Sequence, residues 1–146
     1  MALKDKIEND IKKRNINPTS VVGTIKNSLR GILYYAMEGK SIVIYLFCLM
    51  LEIMLGVIFK INGLEWILII CILGIVLAVE LLNTSIENAC DCITKEYNLY
   101  IKKAKDCGSA ATFVIFIVAI ILNIIIFLPK IVVFFKRWIW KAVLLE

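Results

Sequence analysis

Three long apolar segments constrain the fold of this chain more than any other feature. They cover residues 42–59, interrupted by Glu52; residues 66–82, with Glu80 near the end; and residues 110–128, without any charge. A membrane-spanning helix needs about 20 mostly apolar residues, and each segment approaches or reaches that length. Hydrophobic residues make up 61% of the chain, more than a soluble domain carries. The sequence therefore predicts an all-α integral membrane protein with three transmembrane helices.

The polar connections between these segments differ in length. Residues 60–65 are too few for anything but a tight hairpin between antiparallel helices. Residues 83–109 contain no proline, so we expect the second spanning helix to continue from Asn83 to about Lys95 in water. The third apolar segment is closed by Pro129-Lys130.

The region before the first apolar segment predicts an amphipathic helix over residues 24–37. Four apolar residues there fall on one helical stripe, with Lys26 and Arg30 outside it: Ile25, Leu29, Ile32 and Leu33. A soluble surface helix would show the same pattern, but the apolar segments that follow favour a helix lying in the membrane interface. Residues 1–14 are charged and lack an apolar core, so we do not expect a secretory signal peptide.

The distribution of basic residues predicts the orientation. Eight Lys or Arg residues precede the first span, the hairpin has only Lys60, and the 83–109 loop has four. Because basic residues favour the cytoplasmic side, the N-terminus and this loop are predicted to be cytoplasmic. The chain is therefore predicted to consist of a charged tail (1–23), a membrane domain (24–129) and a basic aromatic tail (130–146). Three spans place this last tail outside, and we expect it to lie in the interface.

The five cysteines do not indicate a metal site. They show no metal-ligand spacing, and the chain has no histidine. We interpret them as small apolar residues.

One predicted helix face carries a concentration of acidic groups. Glu80, Asn83, Glu87 and Asp91 lie at offsets of 0, 3, 7 and 11, within an arc of about 80°. Three carboxylates so aligned repel one another unless a cation lies among them, and Mg²⁺ with a nucleotide would provide one. A solvated helix face is the alternative. Glu80 argues against it, because a carboxylate that ends an apolar segment is costly to place and indicates function.

Further along the chain, Lys105 and Gly108 precede the third apolar segment. A lysine there would neutralise phosphate charge, and a glycine would let the backbone approach a ligand.

These residues resemble the prokaryotic diacylglycerol kinases and undecaprenol kinases. The resemblance rests on Glu80-Leu81-Leu82-Asn83-Thr84-Ser85-Ile86-Glu87, then Asp91, then Ala104-Lys105-Asp106, with matching spacing. Glu65-Trp66 also matches, and Phe127-Leu128-Pro129-Lys130 is similar to the end of the Gram-positive-type members. The resemblance covers roughly residues 31–129.

The resemblance implies a role for each matched residue. Glu80 would be the general base that takes the proton of a lipid hydroxyl, and Ser109 would face the lipid. Glu87 would bind the divalent metal that bridges the ATP phosphates. The remaining matched residues would line the ATP site: Asn83, Asp91, Glu96, Tyr97, Asn98, Lys105 and Asp106.

The family resemblance also implies the assembly and the reaction. The expected protein is a homotrimer in the bacterial plasma membrane, each subunit giving one interfacial helix and three spans. It would transfer phosphate from ATP, with Mg²⁺, to undecaprenol; diacylglycerol is the alternative substrate. A non-enzymatic oligomeric membrane protein is the alternative from another class.

The chain departs from the family pattern at the second metal ligand. Gly39 stands where the family has a glutamate, with Glu38 one position earlier, and Tyr45 replaces a frequent histidine or acid. A local shift of one residue would bring Glu38 to the metal; without it, the chain would be a weak or inactive kinase. Glu52 lies outside the family pattern.

Overall fold

The structure, a computed structural model, describes residues 21–38 and 40–143 and contains four helices there. They are α1 (Val21–Glu38), α2 (Lys40–Ile58), α3 (Gly63–Ile93) and α4 (Leu99–Val143). The all-helical prediction is confirmed for these residues. Most of the predicted N-terminal tail lies outside the described residues.

Two helices, α3 and α4, are each long and apolar enough to cross a membrane. The number of candidate spans rises to three when α1 and α2 are taken together as one interrupted span. The protein is therefore a membrane protein with two to three candidate spans, where the sequence predicted three. Helix α2 has 19 residues, or about 28 Å of helix, close to the roughly 30 Å thickness of a bilayer's hydrocarbon core.

Helix α1 covers the predicted amphipathic segment. It begins at Val21, three residues before the predicted start, and the apolar side chains of Ile25, Leu29 and Leu33 are exposed. Of the described residues, 21–34 belong to one compact unit, and those from Tyr35 to Val143 belong to a second unit, which holds the site described below. Placement of α1 in the membrane interface stays a prediction.

The hairpin between α2 and α3 is as tight as predicted, because both helix ends are capped. The amide of Ile61 donates to the carbonyl of Gly56 (3.1 Å) and that of Lys60 to the carbonyl of Val57 (3.3 Å), which together end α2 in a Schellman motif. Lys60 takes the left-handed position, with φ of 49°. Asn62 and Glu65 then form a capping box at the start of α3, with N–H···O distances of 3.0 and 2.7 Å.

The hydrophobic core lies close to this hairpin, mainly between α3 and α4. Its buried residues are Ile61, Ile69, Ile126 and Phe127. Gly56 lies against the ring of Trp66, where a Cβ atom would be only 2.5 Å from the ring, so glycine is required for this packing. Most other large apolar side chains are exposed, as expected where lipid rather than water surrounds the helices.

Helix α4 continues through Pro129 to Val143. The helix therefore continues beyond the apolar segment that Pro129 and Lys130 close. Proline removes one backbone hydrogen bond, but packing of Phe127 and Ile131 in the core fixes the helix on both sides of it. Lys130 also binds Glu65 across the two helices (2.9 Å), and this hydrogen bond lowers the pKa of Glu65 below its usual value. The interfacial position of residues 130–143 stays a prediction.

We predict that Lys60→Gly stabilises the protein. In the left-handed region a residue with a Cβ atom is less stable than glycine by about 1 kcal/mol. The free energy of unfolding of Lys60→Gly should therefore be higher by about that amount. Denaturant unfolding of the detergent-solubilised protein measures it. Asn62→Ala is the matched change in the same turn and should lower the value by about 1 kcal/mol. A loss of stability in Lys60→Gly would contradict the assigned turn geometry.

Candidate active site

Helix α3 carries all four residues of the predicted acidic face on one uninterrupted helix. It ends at Ile93, with Thr94 as its C-cap, two residues short of the predicted end. The Asn83 side-chain amide donates to the Glu87 carboxylate (3.0 Å), and Glu80 lies about two turns before Glu87 on the same face of the helix. The face is thus formed, with excess negative charge at its centre.

Helix α4 brings Lys105 to this face. Its ammonium group binds the carboxylate of Asp91 on α3 at 2.5 Å. This hydrogen bond, with smaller contributions from the charges of Asp91 and Glu87, raises the pKa of Lys105 above its ordinary value. Lys105 is therefore a fixed positive charge beside the carboxylates of Asp91 and Glu87. The pair is partly exposed, so a solvated ligand has access to it.

One turn after Lys105 on α4, Gly108 allows α4 to approach α3 closely. A Cβ atom at this position would collide with the side-chain oxygen of Asn83. That oxygen is buried and has no hydrogen-bond partner among the described residues. The sequence predicted a close approach of the Gly108 backbone to a ligand, whereas the neighbour that the structure shows is Asn83.

Glu80 lies where the acidic face meets a cavity of about 240 Å³. The cavity is lined mainly by apolar side chains of α2, α3 and α4, with Tyr35 from the end of α1. Glu80 is therefore in contact with both an apolar cavity and the charged face.

The loop between α3 and α4 has a capping role that sequence reasoning missed. The Asn98 side chain accepts hydrogen bonds from the amides of Tyr100 (2.9 Å) and Ile101 (3.3 Å), which begins α4. The Thr94 hydroxyl accepts from the amide of Glu96 (3.0 Å). These bonds stay within the loop and the first turn of α4, and Tyr97 is exposed. An Asn directly before a helix was the available signal.

Two other predicted residues do not join the central cluster. Asp106 binds Lys102 along the exposed surface of α4 (2.7 Å). Ser109 is exposed, and its carbonyl accepts a hydrogen bond from the Thr112 hydroxyl (2.8 Å). Their contacts with ATP or lipid stay predictions.

The donor set fits a divalent cation that phosphate oxygens would complete. Among the described residues no three His, Cys, Asp or Glu side chains converge on one point. The carboxylate of Glu87, which the Asn83 amide orients, is nevertheless a hard oxygen donor of the kind that Mg²⁺ prefers. Gly39 and the side chain of Glu38 lie outside the described residues, so the predicted second ligand stays a prediction.

These features define a helical membrane protein with a lysine-and-carboxylate site at the ends of two packed helices. Residues 26–127 match the model of the prokaryotic diacylglycerol kinase family, and the chain belongs to that family.

Individual relatives match shorter segments. The chain is 36% identical over 75 residues to an undecaprenol kinase of Bacillus subtilis (strain 168), and 43% identical over 75 residues to a diacylglycerol kinase of Helicobacter pylori. It is 39% identical over 61 residues to a diacylglycerol kinase of Escherichia coli (strain K12). These segments cover 51%, 50% and 42% of this chain and 61%, 54% and 50% of the relatives. The matches thus span roughly half of each relative.

We predict that Gly108→Ala destabilises the site. The added methyl group would displace Asn83 from its place beside α4, at a cost of about 1–3 kcal/mol in the free energy of unfolding. Gly74→Ala on α3 is the matched control, because a Cβ atom there meets nothing within 4 Å. The control should gain up to about 1 kcal/mol from helix propensity. Equal effects of the two changes in denaturant unfolding would refute the close approach at Gly108.

Proposed function

We propose that this chain is an ATP- and Mg²⁺-dependent kinase of a membrane lipid alcohol. One observation carries the proposal. Lys105 is held by Asp91 beside Glu87, and Glu80, further back along α3, lines an apolar cavity. Such a site serves a charged phosphate donor and an apolar acceptor together. Membership of the prokaryotic diacylglycerol kinase family supports the same reaction. The similarity to an undecaprenol kinase and to a diacylglycerol kinase supports it too.

Phosphoryl transfer demands in-line positioning and neutralisation of charge more than covalent work by the protein. Lys105 would bind phosphate oxygens, and its pairing with Asp91 holds it in position and charged. Bound through Glu87, Mg²⁺ would neutralise further phosphate charge. Asn83, hydrogen-bonded to Glu87, would keep that carboxylate oriented.

Glu80 would act as the general base. Its carboxylate takes the hydroxyl proton while the alcohol oxygen bonds to the γ-phosphorus of ATP and the bond from that phosphorus to the bridging oxygen breaks, releasing ADP. Its position in the wall of the cavity supports this role, because the hydroxyl of a lipid held there would lie beside it. Ser109 would complete the lipid side of the site.

We assign undecaprenol as the substrate, since one of the similar proteins is an undecaprenol kinase. Diacylglycerol is the alternative, because the two other relatives are diacylglycerol kinases. We further propose a homotrimer in the bacterial plasma membrane with a cytoplasmic N-terminus and 83–109 loop. The extensive exposed apolar surface of α2 and α4 supports burial against lipid or other copies.

We predict that Glu80→Gln abolishes phosphoryl transfer without unfolding the protein. Loss of a general base should lower kcat at least about 100-fold. The measurement is Mg²⁺-dependent ADP release by purified protein in micelles containing undecaprenol or diacylglycerol. Cys71→Ser, at an exposed position of the same helix, is the control and should keep activity. If the unsubstituted protein transfers phosphate to neither lipid, the kinase proposal fails.

We predict that Lys105→Met raises the KM for ATP by roughly ten-fold or more, because a charge-assisted hydrogen bond to phosphate is lost. Lys103→Met is the matched control: Lys103 lies over the exposed Tyr100 ring, 6.0 Å from its centre. The control should change KM less than two-fold. An unaltered KM in Lys105→Met would remove this lysine from the ATP site.

A further inference from the structure

Helix α4 extends past the hairpin that joins α2 and α3. Lys130 binds Glu65 in the first turn of α3, so it lies level with this hairpin. Phe134 still packs edge-on against Phe59 of α2, with 6.0 Å between ring centres. Residues 135–140, which we call the α4 extension, are all exposed. They also lie outside the family match, which ends at residue 127, so the features of the family do not account for them.

The α4 extension exposes more apolar surface than water favours. Four of its six side chains are large and apolar, and each is more than half exposed: Phe135, Trp138, Ile139 and Trp140. A contiguous exposed apolar patch indicates contact with a membrane or with another protein. The arrangement of the charges on the extension distinguishes these two partners.

Around the helix axis, the extension has a basic side and an apolar side. At about 100° per residue, one arc of about 100° holds three residues: Lys136, Arg137 and Trp140. An equal arc on the opposite side holds three apolar residues: Phe135, Trp138 and Ile139. A helix with cations on one side and large apolar residues on the other is typical of the membrane interface.

The charge of this part of α4 is unbalanced. Residues 131–140 contain no Asp or Glu, and no carboxylate of the described residues pairs with Lys136 or Arg137. Lys130, in contrast, is neutralised by Glu65 at 2.9 Å. Two copies of the extension would repel each other through these cations, whereas an anionic surface attracts both of them. The charge therefore favours anionic lipid over a second copy of the chain.

The two cations lie at the right distance along α4 for the headgroup layer. The apolar segment 110–128 is about 28 Å long, so the hydrocarbon core ends near Lys130. Lys136 and Arg137 follow Lys130 by six and seven residues, or about 9–10 Å, and the headgroup layer is roughly 5–8 Å thick. Side chains point toward the N-terminal end of their helix, which here is back toward the bilayer. Both long side chains therefore reach the lipid phosphates.

We infer that the α4 extension binds anionic phospholipid at the headgroup level. Lys136 and Arg137 contact the lipid phosphate, and Trp138 and Trp140 hold the helix at the level where indole rings are enriched in membrane proteins. The inference does not depend on the proposed kinase function, because the extension lies at the opposite end of α4 from Lys105.

The test identifies the lipid beside Trp138 and Trp140. The protein is reconstituted into mixed bilayers of phosphatidylcholine and phosphatidylglycerol, in which one of the two lipids is brominated at acyl carbons near the headgroup. Bromine quenches indole fluorescence on contact. The chain has three tryptophans, so the double change Trp138→Phe and Trp140→Phe leaves only Trp66, and subtracting its signal isolates the extension.

Brominated phosphatidylglycerol should quench the two tryptophans more than brominated phosphatidylcholine does. The preference should be at least about five-fold, the factor that one basic residue near an anionic surface contributes. High salt should reduce it, because exposed charges are screened. Equal quenching by the two lipids would overturn the inference. Absence of quenching by either lipid would also overturn it, since the extension would then lie in water or against protein.

The double change Lys136→Gln and Arg137→Gln should lower the preference below about two-fold while phosphatidylcholine still quenches the tryptophans. Lys102→Gln with Lys103→Gln is the matched control, because it removes the same charge near the other end of α4 and should keep the preference. Lys136→Arg with Arg137→Lys retains both charges and should keep it too. A preference that survives neutralisation of Lys136 and Arg137, or that falls equally in the control, would contradict the assignment.

Discussion

The antiparallel contact between α3 and α4 is the constraint on which the rest of this structure depends. In a membrane, lipid solvates apolar helices as well as other helices do, so hydrophobic burial alone does not fix their register. Here an ion pair fixes each end: Lys105 with Asp91, and Lys130 with Glu65. Between them, the absence of a side chain at Gly108 allows the helices to meet at Asn83. The register in turn determines which α4 residues face the carboxylates.

The same contact explains why the chain has an internal cavity. Helix α2 is joined to α3 by a capped hairpin, so it too packs on α3 rather than on α4. Aromatic and aliphatic side chains close the space near the hairpin, and the remaining gap is bridged by Glu52 and Asn123. A carboxyl and an amide at this depth are costly alone, and their mutual hydrogen bond offsets part of that cost.

Periodicity in the sequence predicted the local features because those depend on neighbouring residues. The helices, the tight hairpin and the single face of Glu80, Asn83 and Glu87 follow from spacing, and the structure confirms them. The continuation of α4 beyond Pro129 does not follow from local preference, because proline disfavours the interior of a helix. The core around Ile131 and the bond from Lys130, both distant in sequence, outweigh that preference.

Contacts between distant residues could not be predicted in this way. Glu52 and Asn123 are 71 residues apart, and neither belongs to a recognisable motif. Each is nevertheless an isolated polar residue within an apolar segment, and two such residues in one chain are a signal that they pair. The Asn98 cap could likewise have been predicted from the sequence, since Asn commonly precedes a helix.

Glu80 links the two halves of the site. On its aqueous side, α3 continues to Glu87 and Asp91, where Lys105 supplies a charge that solvent can reach. On its apolar side, the same helix continues along the cavity wall to Leu73. A reaction between a charged donor and an apolar acceptor needs one residue in contact with both environments. A continuous helix that passes from one environment to the other places Glu80 there without requiring the chain to move.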